Sequence, residues 1–516
     1  MLDTTKPPLK PAGLDITEPQ STPAPPAGGG LFSRLAGATL NYGIGGILPQ
    51  LISFLLIPLY TAFLSPADYG ILELASTLGA TTVILMRCGV PGALTLYYFD
   101  FGERSALTDY VTTIARAVNV TSIAVGLLIL AIAPWTIAPW MELPWYPFVI
   151  LVVAIQLLSS NSDLQRRLIQ AREQSAYSAK LSLAFSLSNI ALAVLFVAGF
   201  RWGAVGMLLA QLCCAAVFFV QAQRYLRPNL GGRFRRDMLR SSFNYGLGIL
   251  PSHLLTTMSP LLTRVILTQV DSLAAVGLFA LATRMASPLT GVLVTAFNMA
   301  YLPLYFSIRK EATESGLLQL AATSRHVWLA ALFCFLGVAL LGPPAIVLMT
   351  PDRYHDAAPL VPILCMGFLA QTLHTLLGPD IFYAKRTWLV PIVTGSSLAT
   401  TLVAAAMLAP SHGAVGIAWA TSFGSIAGMI TAVYFSLQTV SVPHDWWGLI
   451  RAGGATVVVF VGGYWAGGSL PWQQAAAGAA ALVVFPILLW LARDRAIRET
   501  WQHGRALVTR NLGRWI

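Results

Sequence analysis

The chain has 516 residues, 56% of them hydrophobic and only 10% charged, with a formal net charge of +11. A soluble domain carries about a quarter charged residues, so the composition excludes a soluble enzyme and describes a chain built for a bilayer.

The first 32 residues are a different material from the rest. Lys6-Pro7-Pro8 comes early and Pro23-Ala24-Pro25-Pro26-Ala27-Gly28-Gly29-Gly30 closes the stretch. It has no apolar core of the signal-peptide kind, and its Pro and Gly content predicts a disordered cytoplasmic tail. Fourteen apolar runs follow, each long enough for a membrane helix. They lie at roughly 40–63, 70–98, 113–135, 146–165, 181–200, 203–222, 243–268, 275–305, 326–349, 359–382, 388–409, 413–437, 449–467 and 474–492. The fold class is therefore an all-α integral membrane protein.

The runs repeat. Asn41-Tyr42-Gly43 returns as Asn244-Tyr245-Gly246, Pro49 and Pro58 as Pro251 and Pro260, and Gly203-Ala204-Val205-Gly206 as Gly413-Ala414-Val415-Gly416. Gly70-Ile71-Leu72-Glu73-Leu74-Ala75 likewise pairs with Gly277-Leu278-Phe279-Ala280-Leu281-Ala282, and the offset drifts only from 202 to 210. This predicts two pseudo-symmetric six-helix lobes, an N-lobe over 33–224 and a C-lobe over 243–440, joined by a basic cytoplasmic linker at 225–242. Spans 13 and 14 then occupy 441–492, and a basic cytoplasmic tail covers 493–516. Two similar halves in a membrane chain imply a substrate path between them.

Charge orients the bundle. With a cytoplasmic N-terminus, 27 of the 32 Lys and Arg fall on the inner side, and only Arg201 and Arg353 on the outer side. This positive-inside bias absorbs the net charge, so no nucleic-acid partner is required. The densest cluster, Arg224, Arg227, Arg233, Arg235, Arg236 and Arg240, is predicted to sit at the anionic inner leaflet among membrane lipids. Docking of a polysaccharide polymerase or glycosyltransferase partner to it is the minor reading. All five cysteines lie in apolar spans without metal-ligand spacing, and no Gly-rich phosphate loop is present. The reading is of a non-enzyme without metal or cofactor, and of undetermined oligomeric state.

Polar side chains in the spans that open each half carry the chemistry. Arg284, Ser287, Gly291, Thr295 and Asn298 share one face of span 8. His253, Thr257, Pro260 and Arg264 share a face of span 7; Glu73, Thr77, Ala80 and Arg87 share one of span 2. Span 1 contributes Gln50, Ser53 and Thr61. Such stripes are expected to face the bundle interior. Arg284, Arg264 and Arg87 are the candidate substrate-binding cations, Arg284 foremost, because it lies about 13 Å deep at 1.5 Å per residue, where an Arg costs about 2.5–3.5 kcal/mol. Arg87 and Arg264 have a competing reading as side chains that reach the interface. Glu73, His253 and His374 are gate or coupling candidates. Glu73 has two equal readings, a partner of Arg264 or Arg284 when the outer side is closed and an interfacial carboxylate reaching water; for both histidines a packing role is the favoured alternative. The paired prolines predict kinks that let both halves flex. Ser65-Pro66-Ala67-Asp68 is a helix start, with Ser65 as cap and Pro66 in the first turn, and Trp135, Trp140 and Trp145 mark an interface.

The Asn-Tyr-Gly opening, the kinked first span, Leu64-Ser65-Pro66-Ala67-Asp68-Tyr69-Gly70, and Tyr354 followed by Ala357-Ala358-Pro359-Leu360 together resemble the polysaccharide flippases of the O-antigen translocase type, in the multidrug/oligosaccharidyl-lipid/polysaccharide flippase superfamily. The resemblance implies a bacterial inner-membrane transporter whose partner is a lipid-linked oligosaccharide on an isoprenoid pyrophosphate, moved from the inner to the outer leaflet for surface polysaccharide biosynthesis. A drug or cation exporter or a lipid II flippase of the same superfamily remains open. So does a membrane glycosyltransferase or polymerase, although the outer loops hold only isolated acids. The exporter would favour intramembrane carboxylates, for which Glu73, Asp163 and Asp380 are the candidates.

Overall fold

The computed structural model describes residues 54–98, 104–172, 174–287, 314–384, 388–439 and 445–491, together with residues 52, 301, 305, 306, 308, 309 and 386. The predicted tails at 1–32 and 493–516, most of span 1 and the second half of span 8 lie outside the described residues. So do Gln50, Ser53, Thr295 and Asn298.

The described chain is helical throughout. Helices α1 (Ile57–Phe63), α2 (Pro66–Arg87) and α3 (Val90–Tyr97) open the first half. They are followed by α4 (Arg104–Ile132), the short α5 (Ile137–Met141), α6 (Ile150–Ala171), α7 (Ser175–Val194) and α8 (Gly203–Leu226). The second half holds α9 (Arg236–Val270), α10 (Leu273–Ala286), α11 (Glu314–Met349), α12 (Leu360–Tyr383) and α13 (Leu389–Thr439). Two further helices, α14 (Trp446–Ala466) and α15 (Pro471–Leu491), end the described chain.

Ten of these stretches are long and apolar enough to cross a membrane. The difference from the predicted spans has local causes. α13 is 51 residues long only because two helices join across Gly413, whose φ of 50° and ψ of −128° break the helix where spans 11 and 12 were expected to meet. α9 matches span 7 but begins at Arg236, so Arg236 and Arg240, assigned to the linker from sequence, lie in its first turns. α10 is a shorter apolar helix. Predicted span 2 is not one helix. It ends at Cys88 and Gly89, with φ of 47° and 71°, and restarts as α3.

The outward faces are greasy, as lipid contact requires. Val120, Leu127, Val457, Val458, Val483 and Leu491 are all more than 60% exposed; a water-soluble surface of that kind would associate. Trp135 and Trp140 are exposed beside the α4–α6 turn, as expected of interfacial markers. α14 and α15 pack on α11 through small residues: the Cβ of a side chain at Gly463 would meet Ala481 and Leu340, and Trp328 donates to the Leu449 carbonyl at 3.3 Å. Arg325 on α11 pairs with Asp445, which also caps α14 through the Gly448 N–H at 2.9 Å.

Two of the repeated sequence stretches meet in space. α2 and α10 cross near their N-termini so closely that a Cβ at Gly70 would overlap the Leu273 carbonyl oxygen, and one at Gly277 would overlap that of Pro66. The two glycines are reciprocal: each accepts the backbone of the other half. The two Gly-Ala-Val-Gly turns also match. Gly203 and Gly413 both have φ near 50° (54° and 50°) and each faces an acid near the start of a crossing helix, Asp68 in the first turn of α2 and Asp271 just before α10.

Candidate functional site

The site begins where α2 starts. Ser65 accepts from the Asp68 N–H at 3.1 Å and Asp68 accepts from the Ser65 N–H at 3.0 Å, a reciprocal capping box with Pro66 in the first turn. The start is thus the one expected from sequence, and it aims one face of α2 into the bundle. α2 packs against α4, α6, α8, α9 and α10, yet Ser76 and Ala80 are exposed. Ser76 and Ala80 are therefore left uncovered on a helix otherwise enclosed on many sides, with the half-buried Glu73 one turn before them.

The start of this helix is clasped by the opposite half. Arg353, in the Asp352–Ala357 turn, donates through Nη2 to the carbonyls of Thr61, Ala62 and Leu64 at 2.7, 3.1 and 2.9 Å. These are the last carbonyls of α1 and its cap, which have no partner inside the helix. Tyr354 donates to the Leu64 carbonyl at 3.0 Å and packs edge-on against Tyr69 with centroids 5.8 Å apart. The two sequence stretches that carry the family resemblance, around residues 64–70 and 354–360, therefore bind each other.

One turn deeper, Arg264 of α9 meets Glu73 of α2. Its Nη2 and Nε lie 3.0 and 3.1 Å from Glu73 Oε1, its Nη1 donates to the Pro260 carbonyl at 3.3 Å, and the guanidinium stacks over Phe279 at 5.1 Å. Of the two partners considered for Glu73, Arg264 is the one that binds it. Beyond this pair sits Arg284 of α10, its guanidinium 5.4 Å above the Tyr69 ring. It lines a cavity of ≈140 Å³ with Ser76 of α2, Gln156 of α6 and Gln211 of α8. Among the described residues no carboxylate lies within 4 Å of it. A cation from the second half is thus presented to amides and a hydroxyl of the first.

The three candidate arginines are not gathered in one place. Arg87 is 14 residues, about 21 Å, further along α2 than Glu73, and pairs with Asp163 of α6 at 3.1 Å. His253 is exposed, 11 residues or about 16 Å along α9 from Arg264. His374 is half-buried on α12, next to a Thr375 whose hydroxyl is spent on the Gln371 carbonyl at 2.9 Å. Several stripe hydroxyls are likewise turned to their own helix. Thr77 donates to the Glu73 and Leu74 carbonyls, Thr257 to that of His253 and Ser287 to that of Arg284, the usual habit of Ser and Thr in apolar helices. Thr77 is also buried, on a different side of α2 from Ser76. Sequence reasoning missed Ser76, Gln156, Gln211 and the clasp role of Arg353. The available signal was the rarity of amides in apolar spans and the isolation of Arg353 from the other cations of the sequence.

The two halves also meet at the other end of α2. α3 and α9 cross so that a Cβ at Gly246 would overlap the Cys88 carbonyl oxygen. The segment joining the halves is strapped to the start of α4. Asp109 accepts from the Arg233 N–H at 2.6 Å, Thr112 from that of Gly232 and Thr113 from that of Arg235, both at 3.0 Å, and Tyr110 shares a buried hydrogen bond with Ser242 at 2.9 Å. Asp237, bridged by Arg235 at 3.0 Å, is held below the usual carboxylate range and puts negative charge in the first turn of α9.

A helical membrane bundle with two repeated halves and a polar cavity where they cross is the architecture of a transporter. The polysaccharide biosynthesis protein family profile matches residues 61–359, more than half of the chain. The chain belongs to the polysaccharide biosynthesis protein family. Its fold is similar to that of the lipid II flippase MurJ in an inward closed conformation, at 12% identity and a TM-score of 0.69 over 89% of this chain and 99% of that one. It is also similar to a mutant of the Vibrio cholerae MATE transporter VcmN (15% identity, TM-score 0.53, 79% and 96% covered). A multidrug resistance MATE family transporter of the MOP superfamily, inward-facing, matches at 15% identity and a TM-score of 0.52 over 80% and 95%. No curated protein sequence matches the chain. The family member is thus a multi-pass membrane protein whose fold is that of MurJ and the MATE transporters of the MOP superfamily.

Proposed function

We propose that the protein flips an isoprenoid-pyrophosphate-linked oligosaccharide across the bacterial inner membrane by alternating access, from the cytoplasmic to the outer leaflet, for surface polysaccharide biosynthesis. In this reading fourteen spans form two six-helix lobes and a terminal pair, both termini are cytoplasmic, and the Arg353 clasp is at the outer end. The chain transports and does no covalent chemistry.

One observation carries it: Arg284 sits at the junction of the halves with no carboxylate against it among the described residues. A guanidinium stays charged and gives paired hydrogen bonds to phosphate oxygens, while Ser76, Gln156 and Gln211 supply donors and acceptors for sugar hydroxyls. Each carboxylate that an exporter of cations would use is already engaged: Glu73 by Arg264, Asp163 by Arg87, and buried Asp380 by the hydroxyls of Tyr305 and Ser436. The cavity of ≈140 Å³ is below the range of about 300–1,000 Å³ for drug-sized ligands. In this reading the cargo enters by separation of α3 from α9 and leaves by release of the clasp and the Glu73–Arg264 pair.

Translocation of a fluorescent lipid-linked oligosaccharide in vesicles tests this. Arg284→Gln is expected to abolish translocation while the protein still folds and Arg284→Lys to retain part of it; unchanged translocation in Arg284→Gln would remove the residue from the site. The likeness to MurJ favours lipid II as a second cargo, so lipid II is run in parallel. A drug exporter would ignore both lipids, and a polymerase would lengthen the glycan.

A further inference from the structure

A second polar hollow lies inside the first half, apart from the Arg284 cavity. It measures ≈230 Å³ and sits between α6, α7 and α8. Ser159, Ser162, Gln165 and Arg166 of α6 face Ser182 and Ser186 of α7 across it. Gln165 is completely buried, yet neither its amide nitrogen nor its amide oxygen has a hydrogen-bond partner, and Ser162 Oγ has none either. Buried polar groups are almost always paired, so an unused amide donor and acceptor beside an unused hydroxyl, just behind the wall of a hollow, mark a place where a turn of these side chains would meet a polar ligand.

The surroundings define the ligand. Arg166 stands at the rim, 52% exposed, and its carboxylate neighbour Asp163 is 3.9 Å away and committed to Arg87 at 3.1 Å. With Arg167 and Arg172 following, this end of α6 is locally cationic. The lipid side is formed by Phe185 and Phe218, an edge-on pair with centroids 5.1 Å apart, and Phe185 is 39% exposed on the greasy surface. The hollow thus has a cation at its mouth, hydroxyls and an amide within, and an apolar flank open to acyl chains. Its volume suits a phosphoglycerol group and is too small for an oligosaccharide, and a single cation matches a phosphodiester monoanion better than a pyrophosphate.

We propose that this hollow is a binding site for the head group of an anionic, hydroxyl-bearing phospholipid of the leaflet at the Arg166 end of α6. The phosphate is held by Arg166, and the head-group hydroxyls exchange hydrogen bonds with Gln165, Ser162 and the serines of α7. The bound lipid fills the space between α7 and its neighbours and makes it part of the folded first half.

Phosphatidylglycerol is the probe, with phosphatidylcholine and an isoprenyl phosphate as competitors, offered at equal concentration to the purified full-length protein and read by native mass spectrometry. Phosphatidylglycerol is expected to be retained in preference to both. Gln165→Leu and Ser182→Ala are each expected to lower retention about fivefold, the loss that one hydrogen bond represents. Ser182→Ala changes a half-buried hydroxyl only, so it keeps the test valid should Gln165→Leu not fold. Equal retention of phosphatidylcholine, unchanged retention in Ser182→Ala, or displacement by the isoprenyl phosphate would each overturn the assignment. None of these readouts depends on transport, so they stand or fall separately from the flippase reading.

Discussion

Removing Arg264 asks how much the pair with Glu73 holds the clasped end shut. The two groups are 8% and 15% exposed, and Arg264 also bonds the Pro260 carbonyl and covers Phe279. At a separation of 3.0 Å and an effective dielectric of 20 the attraction is about 5 kcal/mol. Leaving one partner of such a pair buried alone costs about 3–5 kcal/mol. When the end opens, however, Glu73 regains water, so part of that cost is relieved. A net shift of about 1.5–3 kcal/mol toward the open state follows, an increase of about ten- to a hundredfold in the open-to-closed ratio. The assay is modification of a cysteine at Ser76, on the exposed strip beside Arg284, by a membrane-impermeant maleimide, in a protein whose five native cysteines are replaced. Arg264→Gln and Glu73→Gln should each speed modification by that factor, and the charge-reversed pair Glu73→Arg with Arg264→Glu should bring the rate back toward the parent. If neither single change alters the rate, or if the double-mutant cycle shows no coupling, the pair is not a gate.

Three other substitutions probe the contacts around it. Gly70→Ala drives a methyl into the Leu273 carbonyl oxygen and must force α2 and α10 apart; a loss of about 1–3 kcal/mol is expected, visible as a lower melting temperature in detergent. Arg353→Ala strands the carbonyls of Thr61, Ala62 and Leu64. It should cost about 1–3 kcal/mol and raise modification of the Ser76 cysteine without lowering the yield of folded protein. Arg87→Leu or Asp163→Leu alone leaves a buried charge and is expected to reduce folded yield, while the double replacement restores most of it; a double variant no better than either single change would show that the two side chains act separately.

Much of the fold was legible because membrane burial is written into composition. Runs near 20 apolar residues can only be helices where no water satisfies the backbone, and the described helices lie where those runs lie. The capping box at Ser65 and Asp68 was legible for the same local reason, since both partners are three residues apart. Helix breaks were harder. Span 2 read as one run because Cys88 and Gly89 are apolar, and its interruption reflects their left-handed backbone against Gly246, a neighbour about 157 residues away.

The sequence by itself determined the membrane class, the repeat and the identity of the costly charges, because each is a property of spacing or of a residue's transfer energy. Which charges are neutralised was decided only by the tertiary structure. Arg87, Arg264 and Arg284 look alike in a linear pattern, yet Asp163 and Glu73 take the first two, while Arg284 is turned to Tyr69 and the cavity. Helical periodicity fixes the face on which a side chain lies but not what the next helix brings to it. That pairing depends on how α2, α6, α9 and α10 cross, and the crossing is set by glycines whose partners lie in the other half of the chain.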